Sequence, residues 1–238
     1  MLRVVPENSD LFTGGAPNQT SLAYESIRTA IVTGRHKPEK KLKIQELAVE
    51  LKVSPGAVRE ALSRLVPEGL VVSRDQRGFL VAPLSLGDLG DLTDMRCEIE
   101  AIALRRSVER GDINWEASIL TAELRLRDTR VVVDRAVLVL NPEWVKNHEA
   151  FHSTFVSACG SRRLLALHAQ LYEQSERYRG LSADLGSVRD VAKEHYELVQ
   201  LALLRDSDGL IKAANAHLRR TTAMIVEATV KARSIEPT

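Results

Sequence analysis

The 238-residue sequence has few aromatic side chains, only two cysteines and almost no net charge. These shortages restrict the composition of the core, the use of disulfides and the distribution of charge. Aromatic residues make up only 4% of the chain, so a buried core must consist mainly of Leu, Ala, Val and Ile. The two cysteines, Cys97 and Cys159, lack the spacing of a metal site. We expect buried free thiols rather than a disulfide, as in a reducing cytoplasm.

Long hydrophobic stretches are also missing. No apolar run reaches the roughly 18–20 residues that are needed to span a bilayer. The N-terminus lacks the basic segment followed by an apolar one that marks a signal peptide. We therefore expect a cytoplasmic protein without a membrane partner. Residues 1–18 mix Pro, Gly, Asn and Ser without periodicity, which predicts a flexible arm.

Charge is balanced over the whole chain but unevenly distributed. The chain has 33 Lys and Arg against 32 Asp and Glu, which excludes a polycationic protein. Residues 19–83 nevertheless contain 11 Lys and Arg against seven Asp and Glu. Positive charge is thus concentrated in one segment, as expected for a surface that contacts phosphate groups.

The segment 44–65 has the pattern of two short helices joined by a tight turn. Apolar residues recur at helical spacing on both sides of residues 52–53, which form the turn. Ser54 is a favourable N-cap for the second helix, and Pro55 suits its first position. We expect Gly69 to end this helix. The arrangement is typical of a helix-turn-helix.

A hairpin is predicted directly after these helices. The apolar runs 70–72 and 79–81 predict two strands, and residues 75–78 (Asp-Gln-Arg-Gly) close them. An earlier helix is expected to follow Ser21 and to stop at Gly34. Three helices and a hairpin make a winged helix-turn-helix, whose last helix can enter the DNA major groove.

The strings VSPGAVREALSRLVPEGLVV and RGFLVAP resemble the winged helix-turn-helix of GntR-type bacterial transcription regulators. The resemblance implies a homodimer that places its two recognition helices in successive major grooves of a palindromic double-stranded operator. Arg59 matches an arginine that the family retains and is our candidate for a base contact. Pro55 and Gln45 occupy positions where the family often has arginine.

Eight residues are predicted to contact DNA. Four basic ones would contact phosphate groups, which set affinity and salt dependence, although each could instead be a solvated surface charge. The others lie on the exposed face or at the start of the recognition helix. The predicted set is Lys43, Ser54, Gly56, Arg59, Ser63, Arg64, Arg74 and Arg77.

Helical periodicity without convincing strand alternation characterises the rest of the chain. The predicted helices are 86–110, 113–139, 142–159, 161–179, 187–205 and 207–233. Ser85 is the expected N-cap of the first. The sequence therefore predicts a mainly α protein with an arm at 1–18, a winged helix-turn-helix domain at 19–84, and an all-helical bundle at 85–238.

Five of the six histidines lie in the C-terminal half. His148 and His152 are four residues apart, so they share one helix face and could hold one metal ion together. His195 and His217 each lie within an apolar stripe of a later helix. Imidazoles that face one core would satisfy one another best around a cation, although each could be a core histidine bonded to a neighbour. His168 lies in a charged helix and is expected on the surface.

The strings HEAFH, KEHYELVQLALLRD and NAHL resemble the FCD domain of the FadR branch of GntR regulators. Many members of that group bind a divalent metal through an aspartate and three histidines. His148 occupies the aspartate position, and His152, His195 and His217 match the histidines. The resemblance therefore implies an all-imidazole site, which suits Zn²⁺, with Ni²⁺ or Mn²⁺ as alternatives.

The same resemblance implies a small organic acid as the effector of the helical domain. Arg96 is flanked by apolar residues and matches an arginine that the family places in the effector pocket, where a guanidinium can hold a carboxylate. The alternative for Arg96 is a simple ion pair with Glu100. Arg177 and Tyr178 resemble a second pair beside the pocket.

These features predict a ligand-responsive transcriptional repressor with no catalytic residues. One alternative is a zinc metallopeptidase, because His148-Glu149-His152 formally satisfies the HExxH pattern. A metal buried in a bundle leaves little room for a polymeric substrate, which argues against a peptidase. Another alternative is a structural DNA-binding protein without a ligand, in which the helical domain serves only for dimerisation.

Overall fold

The computed structural model describes residues 18–74, 78–134, 139–182 and 190–235. The N-terminal part contains α1 (Gln19–Val32), β1 (Lys41–Leu42), α2 (Ile44–Leu51), α3 (Pro55–Leu65), β2 (Val71–Arg74) and β3 (Gly78–Val81). The C-terminal part contains α4 (Leu86–Arg110), α5 (Ile113–Arg127), β4 (Val132–Asp134), β5 (Val139–Leu140), α6 (Pro142–Val156), α7 (Arg162–Ser182), α8 (Val191–Leu203) and α9 (Ser207–Ile235). The predicted fold class, a winged helix-turn-helix followed by a helical bundle, is confirmed.

The helix-turn-helix forms where its capping residues predict it. The turn after α2 contains Lys52, whose φ of 55° lies in the left-handed region and reverses the chain. Ser54 caps α3 by accepting a hydrogen bond at 3.2 Å from a backbone amide, and Pro55 is the first helical residue. Buried side chains such as Ile27 of α1 and Leu62 of α3 join the helices into one core.

Two helix ends in this domain differ from the prediction. α1 begins at Gln19 rather than after Ser21, because the Asn18 side chain caps it by accepting the Ser21 amide at 2.7 Å. α3 ends well before Gly69, and Pro67 has no N–H with which to continue the helical hydrogen bonds. Gly69 instead adopts a positive φ of 75° in the turn that follows.

The wing is a three-stranded antiparallel sheet in the order β1-β3-β2. β2 and β3 form the predicted hairpin, in which Arg74 lies opposite Gly78. β1 adds an edge strand that the sequence did not predict, because two residues are too few for a periodic signal. The predicted hairpin tip at 75–77, with Arg77, lies outside the described residues.

The helical domain packs around the long helix α4, which contacts α6, α7 and α9. Its predicted cap is confirmed, since the Ser85 hydroxyl accepts a backbone amide at 3.3 Å. The core is mainly aliphatic, with Ile119 and Leu210 nearly inaccessible, and Cys97 and Cys159 are buried as predicted. None of the helices in the described ranges is long and apolar enough to cross a membrane.

A short hairpin of β4 and β5 interrupts the helix that was predicted at 113–139, so that prediction is wrong. The physical reason is the run of β-branched valines at 131–133, which favours extended backbone. Asn141 then caps α6 by accepting a backbone amide at 3.0 Å. The later predicted helices match α6 to α9 apart from their ends, and the start predicted at 187 lies outside the described residues.

Replacing Leu62 by alanine should destabilise the N-terminal domain. Leu62 is fully buried, and truncating such a leucine costs about 2–5 kcal/mol of unfolding free energy because a cavity remains. Val49→Ala is the control, since Val49 is 80% exposed and its truncation should cost about 0.5 kcal/mol or less. Urea unfolding followed by circular dichroism measures both. Equal stability of the two variants would contradict the described packing.

Candidate functional site

Four histidines converge in the core of the helical domain. They are His148 and His152 on α6, His195 on α8 and His217 on α9. Each histidine contributes one ring nitrogen to a group of four nitrogens that all lie within 4.8 Å of one another. All four side chains are buried. The structure thus brings together all four residues that the sequence analysis assigned to a metal site.

Burial keeps two of these imidazoles neutral. Burial lowers the pKa of His148 well below its ordinary value, and the positive charge of Arg179 lowers it further. Burial is also the main cause of the strongly lowered pKa of His152, followed by the neighbouring imidazole of His217. A neutral imidazole carries a nitrogen lone pair, which is the form that binds a metal ion.

Outer hydrogen bonds fix the orientation of two rings. Nδ1 of His217 lies 2.9 Å from a carboxylate oxygen of Glu194. An N–H that donates to this carboxylate leaves the lone pair of His217 on Nε2. Nδ1 of His148 lies 2.6 Å from the hydroxyl oxygen of Tyr172. Histidines that bind metals generally use their second ring nitrogen in this way, which fixes the tautomer and the ring plane.

The donor set fits a divalent metal ion. The Nε2 atoms of His148 and His152 are 3.1 Å apart, close to the separation of about 3.3 Å that bonds of about 2.0–2.1 Å produce in a tetrahedral zinc site. Two nitrogen lone pairs at this distance repel each other unless a proton or a cation lies between them. A cation among the four imidazoles meets this need, so the cluster could hold a metal ion.

A cavity of about 590 Å³ lies beside the cluster, between α5 and α9 and the β4–β5 hairpin. His195 forms part of its wall. Trp144 forms another part, and its ring stacks on His148 with the ring centroids 4.6 Å apart. Most of the wall is apolar, and its charged residues are three basic ones and two acidic ones: Arg127, Arg179, Lys193, Glu123 and Asp190. Such a cavity is large enough for a small organic molecule.

Arg179 and Trp144 were not predicted from the sequence. A weak signal was present, because Arg179 follows Tyr172 and Ser175 at helical spacing and Trp144 precedes His148 by one turn. Neither spacing identifies a cavity, since the wall is assembled from helices that are far apart in sequence. Only the tertiary structure places these side chains together.

Arg96 is not among the residues that line this cavity. Its guanidinium donates to the Ser175 hydroxyl at 2.6 Å and lies 4.9 Å from the centre of the Tyr172 ring. Glu100 is 3.5 Å from the same guanidinium, and both charged side chains are buried. The pair is therefore a buried ionic contact inside the bundle and not an exposed pair on the surface of α4.

His168 belongs to this buried network, so its predicted surface position is wrong. It is 4% exposed, and its Nε2 lies 3.7 Å from the Glu100 carboxylate. Burial tends to raise the pKa of Glu100, but the nearby His168 ring and the charge of Arg96 outweigh it and lower the pKa. A buried carboxylate needs such partners, and His168 faces α4 for that reason.

Arg177 and Tyr178 lie at the junction of the two domains rather than beside the histidines. Arg177 donates to the Gly69 carbonyl at 2.6 Å and to the Asp88 carboxylate at 3.2 Å. The buried Tyr178 donates to the same carboxylate at 2.5 Å. The structure therefore does not group these two residues with Arg96, the third predicted effector contact.

Three predicted DNA contacts line a cleft of about 620 Å³ between α2, α3 and the wing. They are Lys43, Gly56 and Arg59, and all three are exposed. Lys43 forms an ion pair at 2.6 Å with Glu46. Among the described residues none forms a hydrogen bond or ion pair with the Arg59 guanidinium, which leaves that group available to a ligand in the cleft.

The remaining predicted DNA contacts lie around this cleft or take part in local structure. Ser54 caps α3, and the Ser63 hydroxyl donates to a backbone carbonyl one turn earlier at 2.9 Å. The guanidinium of Arg64 lies 4.4 Å from the centre of an aromatic ring of α1. Arg74 is exposed at the end of β2, and Arg77 lies outside the described residues.

Glu149, the base that a peptidase would require, faces the N-terminal domain. Its carboxylate is 3.8 Å from the guanidinium of Arg28 in α1. Burial raises the pKa of Glu149. Its side chain does not line the cavity beside the cluster. The HExxH spacing therefore does not place a general base where a substrate could reach it.

Comparison with known proteins identifies both halves of the chain. Residues 19–81 match the model of bacterial regulatory proteins of the gntR family, and residues 91–220 match the FCD domain. The chain is 38% identical over 205 residues to the uncharacterized HTH-type transcriptional regulator BphR of Paraburkholderia xenovorans (strain LB400), covering 85% of this chain and 83% of BphR. It is 32% identical over 217 residues to the HTH-type transcriptional repressor GlaR of Escherichia coli (strain K12), and the match covers 88% of this chain and 97% of GlaR.

A solved structure supports the same architecture. The protein superimposes on E. coli McbR/YncC with a TM-score of 0.73 at 18% identity, covering 88% of this chain and 97% of that one. At such low identity the superposition shows a shared fold alone.

The two family matches and the relatives together decide the class of protein. The chain is a transcription regulator and not an enzyme, so the peptidase alternative is not supported. It belongs to the GntR family of bacterial regulatory proteins and carries a C-terminal FCD domain.

Proposed function

We propose that this regulator is a ligand-responsive repressor that binds double-stranded operator DNA as a homodimer. The observation that carries the proposal is a buried four-histidine cluster beside a cavity, in a chain whose other domain exposes a basic cleft. A purely structural DNA-binding protein would need neither the cluster nor the cavity. Similarity to the repressor GlaR supports the repressor role.

On the DNA side, α3 is the proposed recognition helix and Arg59 the residue that reads a base. A free guanidinium can bond to both O6 and N7 of guanine in the major groove. Lys43, Arg64 and Arg74 would contact phosphate groups and so set the salt dependence of binding. α3 begins after its N-cap Ser54. The backbone N–H groups at such a helix start can donate hydrogen bonds to a phosphate oxygen.

Exposed apolar side chains on the helical domain support a homodimer. Met95 and Ile102 lie two turns apart on α4 and are 41% and 47% exposed. Leu120 and Leu124 lie one turn apart on α5 and are exposed to a similar degree. A two-fold dimer that covers such faces would match the symmetry of a palindromic operator.

In the helical domain, His148, His152, His195 and His217 would hold one divalent metal ion. Zn²⁺ is the first candidate because neutral imidazoles suit it, and Ni²⁺ or Mn²⁺ are the alternatives. The bound ion would supply a positive charge that attracts an acidic ligand. The hydrogen bonds of Tyr172 and Glu194 to the outer ring nitrogens would keep the ligand rings oriented.

The effector that fits the cavity is a small organic acid with an apolar body. Leu126 and Trp144 contribute apolar surface, while Arg179 and Lys193 contribute positive charge. A guanidinium holds a carboxylate through two parallel hydrogen bonds. We therefore assign the direct contact with the acid to Arg179, whose Nε donates to the buried Glu176 carboxylate at 2.8 Å.

The three predicted effector residues would act from outside the cavity. Arg96 donates to the Ser175 hydroxyl of α7. Arg177 and Tyr178 hold the same helix against Asp88 at the domain junction. Their proposed role is to keep α7 in position while Arg179 contacts the effector.

Arg59→Ala should weaken operator binding. Loss of a base-reading arginine typically costs about 1–3 kcal/mol and relaxes specificity at one position. A mobility shift on the promoter beside the protein's own gene measures the change. Arg105→Ala is the matched control, because Arg105 is an exposed arginine of the helical domain that pairs with side chains of α9. Equal binding by the two variants would remove Arg59 from the interface.

The metal proposal predicts one bound ion per chain. Titrating the chelator-treated protein with Zn²⁺ should raise its thermal stability, because a ligand at about 100 times its Kd adds about 2.7 kcal/mol. His152→Ala should abolish this increase, and His168→Asn should retain it, since His168 is buried outside the cluster. The proposal fails if the intact chain shows no Zn²⁺-dependent stabilisation, or if His152→Ala responds like the intact chain.

Binding of an organic acid should change the fluorescence of Trp144. The chain has two tryptophans, and Trp115 lies outside the cavity with its indole N–H donating to the Thr154 carbonyl at 2.8 Å. Trp115→Phe should therefore keep the signal, and Trp144→Phe should lose it. A panel of aliphatic and aromatic carboxylic acids is titrated into the zinc-loaded chain.

The same titration tests Arg179. A hydrogen bond to a charged group contributes about 1.5–3 kcal/mol. Arg179→Gln should therefore raise the Kd of the acid that gives a signal by at least about tenfold. An acid that bound this variant as tightly as the intact chain would contradict the assigned contact. A signal that survived in Trp144→Phe would place the acid elsewhere.

A further inference from the structure

Helix α7 contacts the histidine cluster on one face and the DNA-binding domain on another. Tyr172, Ser175 and Arg179 recur at helical spacing and face the bundle core. Glu173 and Arg177 are four residues apart on a different face and reach the N-terminal domain. One rigid element thus touches both functional parts of the molecule.

The inner face of α7 is attached directly to a predicted metal ligand. The Tyr172 hydroxyl lies 2.6 Å from Nδ1 of His148. Tyr172 is 2% exposed and lies under the guanidinium of Arg96, which also holds Ser175. A buried side chain with close contacts on both sides cannot move independently of its helix. A change in the position of the His148 ring therefore acts on α7.

The outer face of α7 is attached to the DNA-binding domain at two points. Glu173 accepts a hydrogen bond from the Arg28 guanidinium of α1. Arg177 donates to the carbonyl of Gly69, which lies in the turn between α3 and the wing. The side chains of Arg28, Glu173 and Arg177 are largely shielded from water, where charged hydrogen bonds are stronger than on an open surface.

These two attachment points bracket the recognition helix. α1 packs along α3, and the turn that contains Gly69 follows α3 directly. Within the domain, the Tyr24 hydroxyl of α1 bonds to the Glu68 carboxylate at 3.0 Å and so ties the two points together. A displacement of α7 would therefore carry the recognition helix with it as part of one unit.

We propose that α7 transmits the state of the histidine cluster to the recognition helix, with Glu173 and Arg177 as its positioning residues. The inference rests on the proposed function, because it gives the route by which a ligand in the bundle changes DNA binding. A coupling of this kind needs one element whose position both sites affect. α7 meets that requirement with side-chain contacts at both faces.

α6 also contributes a carboxylate near Arg28. Glu149 follows His148 directly, and its carboxylate lies 3.8 Å from the same Arg28 guanidinium. This separation is longer than a hydrogen bond, and Glu149 is 41% exposed against 17% for Glu173. Water screens the exposed pair more effectively. Glu149 therefore provides a matched control, since it is a second carboxylate beside the same arginine.

Amide hydrogen exchange of the full chain, with Zn²⁺ and with chelator, tests the inference. Zn²⁺ should slow amide exchange directly in α6 and α8, which carry metal ligands. It should also slow exchange in α1 (Gln19–Val32), because α7 links the histidine cluster to that helix. Allosteric couplings are commonly about 5–150-fold, so we expect a slowing of at least about fivefold in α1. The double variant Glu173→Gln/Arg177→Gln should keep the protection of α6 and α8 and lose that of α1. Glu149→Gln should keep both.

The outcomes separate this inference from the metal proposal. Protection of α6 and α8 without any response of α1 in the intact chain would overturn the α7 route alone. The α7 route would also be overturned if α1 still responded to Zn²⁺ in the double variant, or if it stopped responding in Glu149→Gln. Absence of protection in all of these helices would overturn the metal proposal together with the route.

Discussion

The structure depends on one constraint: four imidazole rings are buried together in a helical core. Each ring has two nitrogen atoms that need partners, and the Nε2 atoms of His148 and His152 are only 3.1 Å apart. Polar groups are costly in such a core unless they are paired. Tyr172 and Glu194 bind the outer nitrogens of two rings, and a cation between the inner ones would complete the arrangement. These bonds join α6 to α7 and α8 to α9.

The same constraint connects the two domains. The helix that supplies Tyr172 to the cluster also supplies Glu173 and Arg177 to the junction with the DNA-binding domain. The core of each domain is mainly aliphatic, and α1 adds Val32 to the core of the helical domain. The junction also contains ion pairs and hydrogen bonds. Such polar contacts can change their geometry at lower cost than an apolar core, which must keep its packing density. This difference suits a regulator whose domains must respond to each other.

Much of this organisation was predictable from the sequence, because local signals determine it. Ser54 and Ser85 cap helices where expected, and helical spacing together with the family resemblance located the four histidines. Long-range features were not predictable. His168 was predicted on the surface because its sequence neighbours are charged. In the structure it is buried and lies next to Glu100, which belongs to another helix. Arg179 and Trp144 meet only when several helices assemble around the cavity, and no single stretch of sequence carries that information.

The central claim is that the four histidines bind one metal ion. Anomalous X-ray diffraction at the zinc edge, on crystals of the full chain grown with one equivalent of Zn²⁺, tests it most directly. We predict one strong peak per chain, at about 2.0–2.1 Å from a nitrogen of each of His148, His152, His195 and His217. A map without a peak at this position, or with zinc bound only at surface residues, would contradict the account.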